Sequence, residues 1–573
     1  MFTFFQLYEF RKLTSDPQNF EIPERPENRR TTDKKWLIAF IVVLVVLIPF
    51  LIYTLLHTEL KQLSGSDNCG NFCGYKNKKY DEWACTGKDY TEQKYLHLTG
   101  TAVFNGIHVR GKECVAECPY GTVPTFNTCL PKDTNNNTPG NPNMSLEAFV
   151  ALVGEIGRDI GRGWWAILLS AVVSCLLCFG TMSLFRWAVD FVVWFILIGS
   201  IGILAILGGL CWYAYFHFKD DHHYKVGNTK DQGAVGFLVL AIFFSIIVAV
   251  LIIVITCMVK RVKLIIALFR EASKAIFDVP SMILIPVYTS ILVTLSFLIF
   301  VVLTFFMALA GKLSEVAPNY LEYRLDGVMI TALAYNIFGY IWVTEFIIGA
   351  QYIIIAGGVS AWFFTRNKHY LDSPLWTSFT NFTHFHLGTV AIGSLVITLM
   401  SIVRALLKSL AENAKTKWII DCCLSNIEEF IRFLSKNAYI QTAMHGQPFF
   451  KSGKRAAKLL VSNAANVIAV NSIGDFVLVI AQLLLMVVST TVAVFIAKAT
   501  GLTHYWAIAI ICAFVAVCMA ATFFAIFEAT IDCIFICFCE DTTLNDGMAR
   551  PYFMSKGLMQ FIEDSKAIMP KKK

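Results

Sequence analysis

The chain has 573 residues, of which 56% are hydrophobic and 16% charged; 48 Lys and Arg face 41 Asp and Glu, a formal net charge of +7. Soluble globular domains carry roughly a quarter charged residues, so this balance, with a mean hydropathy of +0.59, excludes an ordinary soluble enzyme or binding module. The lipid bilayer is the expected surrounding, and no nucleic-acid partner is expected.

A spanning helix needs about 20 mostly apolar residues. Nine stretches meet or approach that length: 36–56, 164–185, 187–218, 234–258, 281–310, 334–364, 387–403, 474–497 and 505–538. The expected fold class is therefore an all-α polytopic membrane protein of about ten transmembrane helices, with a disulfide-rich extracellular loop between the first two. Residues 1–35 form a polar, cytoplasmic N-terminal segment whose Arg29, Arg30, Lys34 and Lys35 precede the first helix, 36–56. Basic flanks stay inside, and the apolar run starts too far from Met1 for a cleaved signal peptide. Alternate threading places 57–163 outside, 164–540 as the transmembrane core and 541–573 as a cytoplasmic tail. Both ends inside demand an even number of crossings. The tenth is expected within the amphipathic stretch 411–470, near Trp418–His445 or Lys458–Val470.

Six of the 17 cysteines, Cys69, Cys73, Cys85, Cys114, Cys118 and Cys129, fall in the 57–163 loop. An even count in an oxidising compartment reads as a disulfide framework, with fifteen pairings open. The rival is zinc, because C-x3-C occurs twice with His97 and His108 nearby; no metal or other cofactor is expected. The same loop holds two N-x-[ST] acceptors, Asn136 and Asn143, in the Asn- and Pro-rich "KDTNNNTPGNPNMS", an exposed linker suited to glycosylation.

Polar residues inside the apolar runs carry the functional reading. In the third run, Asp190 follows Arg186 by four residues, an i, i+4 pair, and Trp194 continues that face. The sixth run contains Trp342, Glu345, Gly349 and Tyr352 at spacings of three, four and three, which put them on one helical face; Gln351 shapes a neighbouring one. A buried acid costs about 2.5–3.5 kcal/mol even on lenient scales and so faces a partner or a cavity. With aromatic rings beside a gap, that acid describes a seat for a small organic cation. The last run ends with Glu528 and Asp532 one turn apart, a candidate proton or cation relay. Two stretches, near 260–278 and 427–460, read as amphipathic cytoplasmic helices lying at the inner leaflet.

Several blocks, "IALFREASKAI", "LSKNAYIQTAMHGQPFFKSGKRA", "HLGTVAIGSLV" and "DGMARPYFMSKGLM" after "CFCED", strongly resemble the choline transporter-like family of solute carriers. The resemblance covers nearly the whole chain. It implies a ten-crossing carrier of choline, and in some members ethanolamine, in plasma and organelle membranes, working by alternating access to supply phospholipid synthesis, with proton exchange proposed. It implies no enzymatic activity, gives no oligomeric state and supplies no short motif for the site. The chain departs from the common pattern in its short, cysteine-free 311–333 loop. The competing readings are a membrane-embedded lipid enzyme using His384 and His386 as general bases, and a channel or lipid-interaction scaffold. Uptake of labelled choline into proteoliposomes separates the carrier from both.

Overall fold

The computed structural model describes residues 22–560, apart from 105–106, 126, 132–145, 221–229, 319, 412, 500, 502–504 and 547–549. Asn136 and Asn143 lie outside the described residues. Thirteen helices are labelled here in chain order: α1 (Lys34–Leu56), α2 (Leu146–Trp187), α3 (Val189–Asp220), α4 (Lys230–Asp278), α5 (Leu284–Ala308), α6 (Gly327–Phe364), α7 (Pro374–Asn381), α8 (Leu387–Leu410), α9 (Ala414–His445), α10 (Phe449–Ser462), α11 (Ala464–Ala469), α12 (Asp475–Ala499) and α13 (Tyr505–Leu544). Nine helical segments among the described residues are long and apolar enough to cross a bilayer. The protein is a multi-pass membrane protein.

Six strands accompany the helices. β1 (Tyr95–Phe104), β2 (Ile107–Val115), β3 (Thr122–Thr125) and β4 (Thr128–Pro131) form one sheet in the order β2-β1-β4-β3; β5 (Lys312–Ala317) and β6 (Tyr320–Arg324) make a hairpin. The six loop cysteines pair as Cys69–Cys85, Cys73–Cys114 and Cys118–Cys129, one of the fifteen pairings left open by sequence. The short 311–333 loop is not idle. Its hairpin docks on the disulfide-bonded unit: Leu321 donates its amide to the Asn68 carbonyl at 2.7 Å, Tyr323 stacks on Phe72 with centroids 5.0 Å apart, and Lys112 bridges to Glu322. Below it, Asp326 caps α6 by accepting the Met329 amide at 2.9 Å, the helix-start role that carboxylates fill well. The Tyr53 hydroxyl, with the Met329 amide and Lys312, holds the Asp326 carboxyl well below the usual carboxylate range. The end of α1, the end of α5 and the start of α6 therefore meet at the disulfide-bearing end of the bundle.

At the opposite end, residues 22–33 run across the start of α8 and the end of α9 as a strap. Glu24 donates its amide to the Met444 carbonyl at 2.9 Å, and Thr32 its amide to the Phe385 carbonyl at 2.9 Å. A side chain at Gly388 would strike the Asp33 carbonyl oxygen at 2.4 Å, so this close approach requires glycine.

Two local expectations are corrected. Arg186 and Asp190 do not pair, because the helix ends at Trp187 and α3 begins at Val189. Asp190 bridges to Arg270 instead, while Arg186 lies 4.9 Å from the Phe277 ring. The stretch near 260–278 is no separate surface helix: it prolongs α4 into a 49-residue rod, and Leu264, Ile265, Leu268, Phe269, Ala272 and Ile276 are buried in the main core. Its apolar stripe faces protein, an alternative that periodicity alone leaves open.

The Cys73–Cys114 bond spans 41 positions, and closing a loop of that size in the unfolded chain is worth about 4 kcal/mol in the chain-entropy account. Replacing both cysteines with Ser should lower the thermal midpoint of the purified protein and hasten protease cleavage within the disulfide-bonded unit. Unchanged cleavage and midpoint would show that this bond does not hold the unit.

Candidate functional site

Helix α9 is the least apolar of the long helices, yet it runs beside α6 and α8 in the bundle. Its charges Glu428, Arg432 and Lys436 recur every fourth residue, which places them on one face. Each has a partner. Arg404 of α8 holds Asp421 Oδ1 at 2.7 Å and Glu428 Oε2 at 3.0 Å, and Lys408 reaches Asp421 Oδ2 at 2.9 Å. Arg432 donates to both oxygens of Glu345 on α6, at 2.7 and 2.8 Å, and to Glu428 Oε1 at 3.3 Å. Lys436 donates to Glu528 Oε1 on α13. The result is a ladder of paired charges joining four helices, which is how ionised groups are accommodated away from water.

The last rung differs from the others. Lys436 also lies 4.9 Å from the centre of the Tyr352 ring, a cation–π distance. The Tyr352 hydroxyl donates to the same Glu528 oxygen at 3.0 Å. Asp532 and Asp475 also act electrostatically on Lys436, beyond its direct bond to Glu528. Tyr352 lies twelve residues before Phe364, the end of α6, about 18 Å along the helix at 1.5 Å per residue. The Glu528 side chain keeps 38% exposure, whereas that of Glu345 keeps 11%.

The residues singled out in the sixth run are not brought together around one opening. The Trp342 indole donates to the Ala391 carbonyl and the Ser394 hydroxyl, both at 3.1 Å, and packs edge-on against Phe40. Glu345 is spent on Arg432. The gap expected at Gly349 is filled by the Tyr439 ring, whose oxygen would lie 3.1 Å from an added Cβ. Gln351 is buried in α6, and Trp194 packs against the main core. Tyr352 and Glu528 do meet. The partner that joins them, Lys436, escaped sequence reasoning because 427–460 read as an amphipathic helix at the inner leaflet, and Asp475 was not singled out. The fourfold spacing of Glu428, Arg432 and Lys436 was the available signal.

The histidines are differently placed. His384 Nδ1 contacts the Thr380 carbonyl at 3.0 Å. His386 is 1% exposed, with Nε2 at 3.0 Å from an Arg29 nitrogen and Nδ1 at 3.0 Å from Thr32 Oγ1. A guanidinium can only donate, so Nε2 accepts and Nδ1–H donates to Thr32. Thr389 donates to Asp33 Oδ2 at 2.9 Å, which leaves its own oxygen to accept from Thr32 at 2.6 Å. Arg29, His386, Thr32, Thr389 and Asp33 thus form one directed chain that pins the strap. Burial lowers the Arg29 guanidinium to about 10, still cationic at neutral pH. Both nitrogens of His386 are committed to this lock, so it has no lone pair free for a substrate.

No group of three His, Cys, Asp or Glu suited to a metal ion occurs among the described residues.

Comparison with known proteins accords with this architecture. The profile of a family described as plasma-membrane choline transporter matches residues 242–543. The chain is similar to choline transporter-like protein 1 of Torpedo marmorata, 28% identical over 95% of this chain and 94% of that protein. It is also similar to choline transporter-like protein 1 of Xenopus laevis, at 29% over 96% and 95%, and to choline transporter-like protein 3 of Homo sapiens, at 26% over 94% and 92%.

The Glu345–Arg432 pair is structural in this geometry. Glu345→Gln and Arg432→Gln should each lower the thermal midpoint of the purified protein. Because the partners touch, the double variant should lose less than the sum, with a coupling of about 1–3 kcal/mol. Additive losses would show that the two side chains do not depend on each other.

Proposed function

The chain belongs to the plasma-membrane choline transporter family, and from that membership we propose that it carries choline across a membrane, with Tyr352, Glu528, Asp532 and Asp475 receiving the cation. The observation that carries this assignment is the Lys436 ammonium lying over the Tyr352 ring while bonded to Glu528. A quaternary ammonium donates no hydrogen bond; it is recognised by an aromatic face and offset by a nearby acid, and both are present at this position. A primary ammonium already occupies it, which supports ethanolamine as a second substrate.

Alternating access fits the two ends of the bundle. The strap of residues 22–33, locked through Arg29 and His386, covers one end beside a cavity of about 260 Å³ lined in part by Arg29, Asp372, Asn381 and His386. Release of a cation on that side requires the strap to move, and the disulfide-bonded unit with its docked hairpin stands at the other end. In this reading α9 is the tenth crossing, running back from the end of α8 to the strap. The basic segment before α1 sets the strap on the cytoplasmic side, and the plasma membrane is the site of action.

Purified protein in liposomes should take up labelled choline. Glu528→Gln should lower kcat/KM about tenfold or more, the scale of roughly 1.4 kcal/mol for a lost charge contact at the cation, with the thermal midpoint kept within a few degrees. Absence of uptake by the unmodified protein would refute the transport reading; normal uptake by Glu528→Gln would remove this acid from the site.

A further inference from the structure

A side chain of the protein itself sits where the substrate cation is proposed to bind. The Lys436 ammonium is 4.9 Å from the Tyr352 ring centre and bonds to Glu528 Oε1, making both contacts that a small organic ammonium would seek. Resting on the transport reading above, we infer that Lys436 is a tethered counter-cation: it fills the site in the unloaded carrier, steps aside for the substrate, and returns when the substrate leaves.

Three features of the site support an exchange between two cations. First, Glu528, Asp532 and Asp475 all interact with Lys436. An unloaded site without that ammonium would hold the Glu528 carboxylate beside the Tyr352 ring with no cation from Lys436 to offset it, a costly state for a helix bundle to carry through the membrane. Second, the ammonium can leave without moving a helix. Lysine ends in a point charge on a flexible four-carbon stem, unlike the rigid fork of arginine. Arg432, one turn earlier, is fixed by three hydrogen bonds to Glu345 and Glu428. The acid bonded to Lys436 is also more open than those bonded to Arg432, as the 38% exposure of Glu528 against the 11% of Glu345 and 13% of Glu428 shows. Third, the acid stays aimed when the lysine departs, because the Tyr352 hydroxyl holds the same Glu528 oxygen at 3.0 Å. The substrate thus meets a carboxylate already oriented beside the ring.

The two cations compete for one seat, so removing the tethered one has two opposite effects. Substrate binding tightens because its competitor is gone. The unloaded carrier returns more slowly because its acids are uncompensated.

The test uses full-length protein in liposomes and compares net efflux of labelled choline with its exchange against unlabelled choline, alongside choline binding to the purified protein. For Lys436→Gln, the ratio of net efflux to exchange should fall about tenfold or more, while the dissociation constant for choline falls. Lys436→Arg, which keeps the charge, should recover part of the ratio. Should the Gln variant not fold, Lys436→Met, of similar length and no charge, takes its place. Net efflux and exchange reduced by one common factor, or choline binding weakened by the neutral variants, would overturn the counter-cation role and leave the transport assignment standing. Unmodified protein that moves no choline in either mode would sink both.

Discussion

The structure depends on the pairing of every charge along the inward face of α9. A helix carrying Asp421, Glu428, Arg432 and Lys436 cannot be placed among apolar helices unless each ionised group finds an opposite partner. Here the partners come from three different helices: Arg404 and Lys408 on α8, Glu345 on α6 and Glu528 on α13. The ladder therefore fixes the rotation of α9 and the depth at which its neighbours meet it. Removing one member of an arginine-held rung such as Glu345–Arg432 leaves the other charged and buried, which costs far more than the pair gains over an apolar substitute.

The rungs are not equivalent, and the difference marks the position proposed for the cation. From Lys408 to Glu345 the contacts are multiple and involve arginine forks, which suit fixed geometry. At Lys436 the cation is a single flexible ammonium, the anion is more open, and an aromatic ring supplies the third contact. Rigid pairing thus sets the frame and looser pairing occupies the site. The strap is held differently: the chain from Arg29 through His386 to Asp33 places neutral groups between a buried guanidinium and a carboxylate.

Much of the fold was legible because it rests on length and composition. The apolar runs and the disulfide-bearing first loop follow from hydropathy and redox chemistry, and the long family blocks pointed to the family. Charge was harder to read. Glu345 looked like half of a cation pocket because its partner, Arg432, lies 87 positions away in a stretch that resembled a surface helix. Trp342 shares the predicted face, but its indole is consumed by Ala391 and Ser394 on α8. Tyr352 and Glu528 were both singled out, in separate arguments; only tertiary packing joins them, and Lys436 is the link. Periodicity tells which residues share a helical face. It does not tell what that face meets.

The most direct measurement is a density map of the protein with choline bound. The account predicts the choline nitrogen within about 6 Å of the Tyr352 ring centre, with the Lys436 ammonium withdrawn from Glu528 and the Glu345–Arg432 contact unchanged. Choline seated elsewhere, with Lys436 still on Glu528, would contradict it.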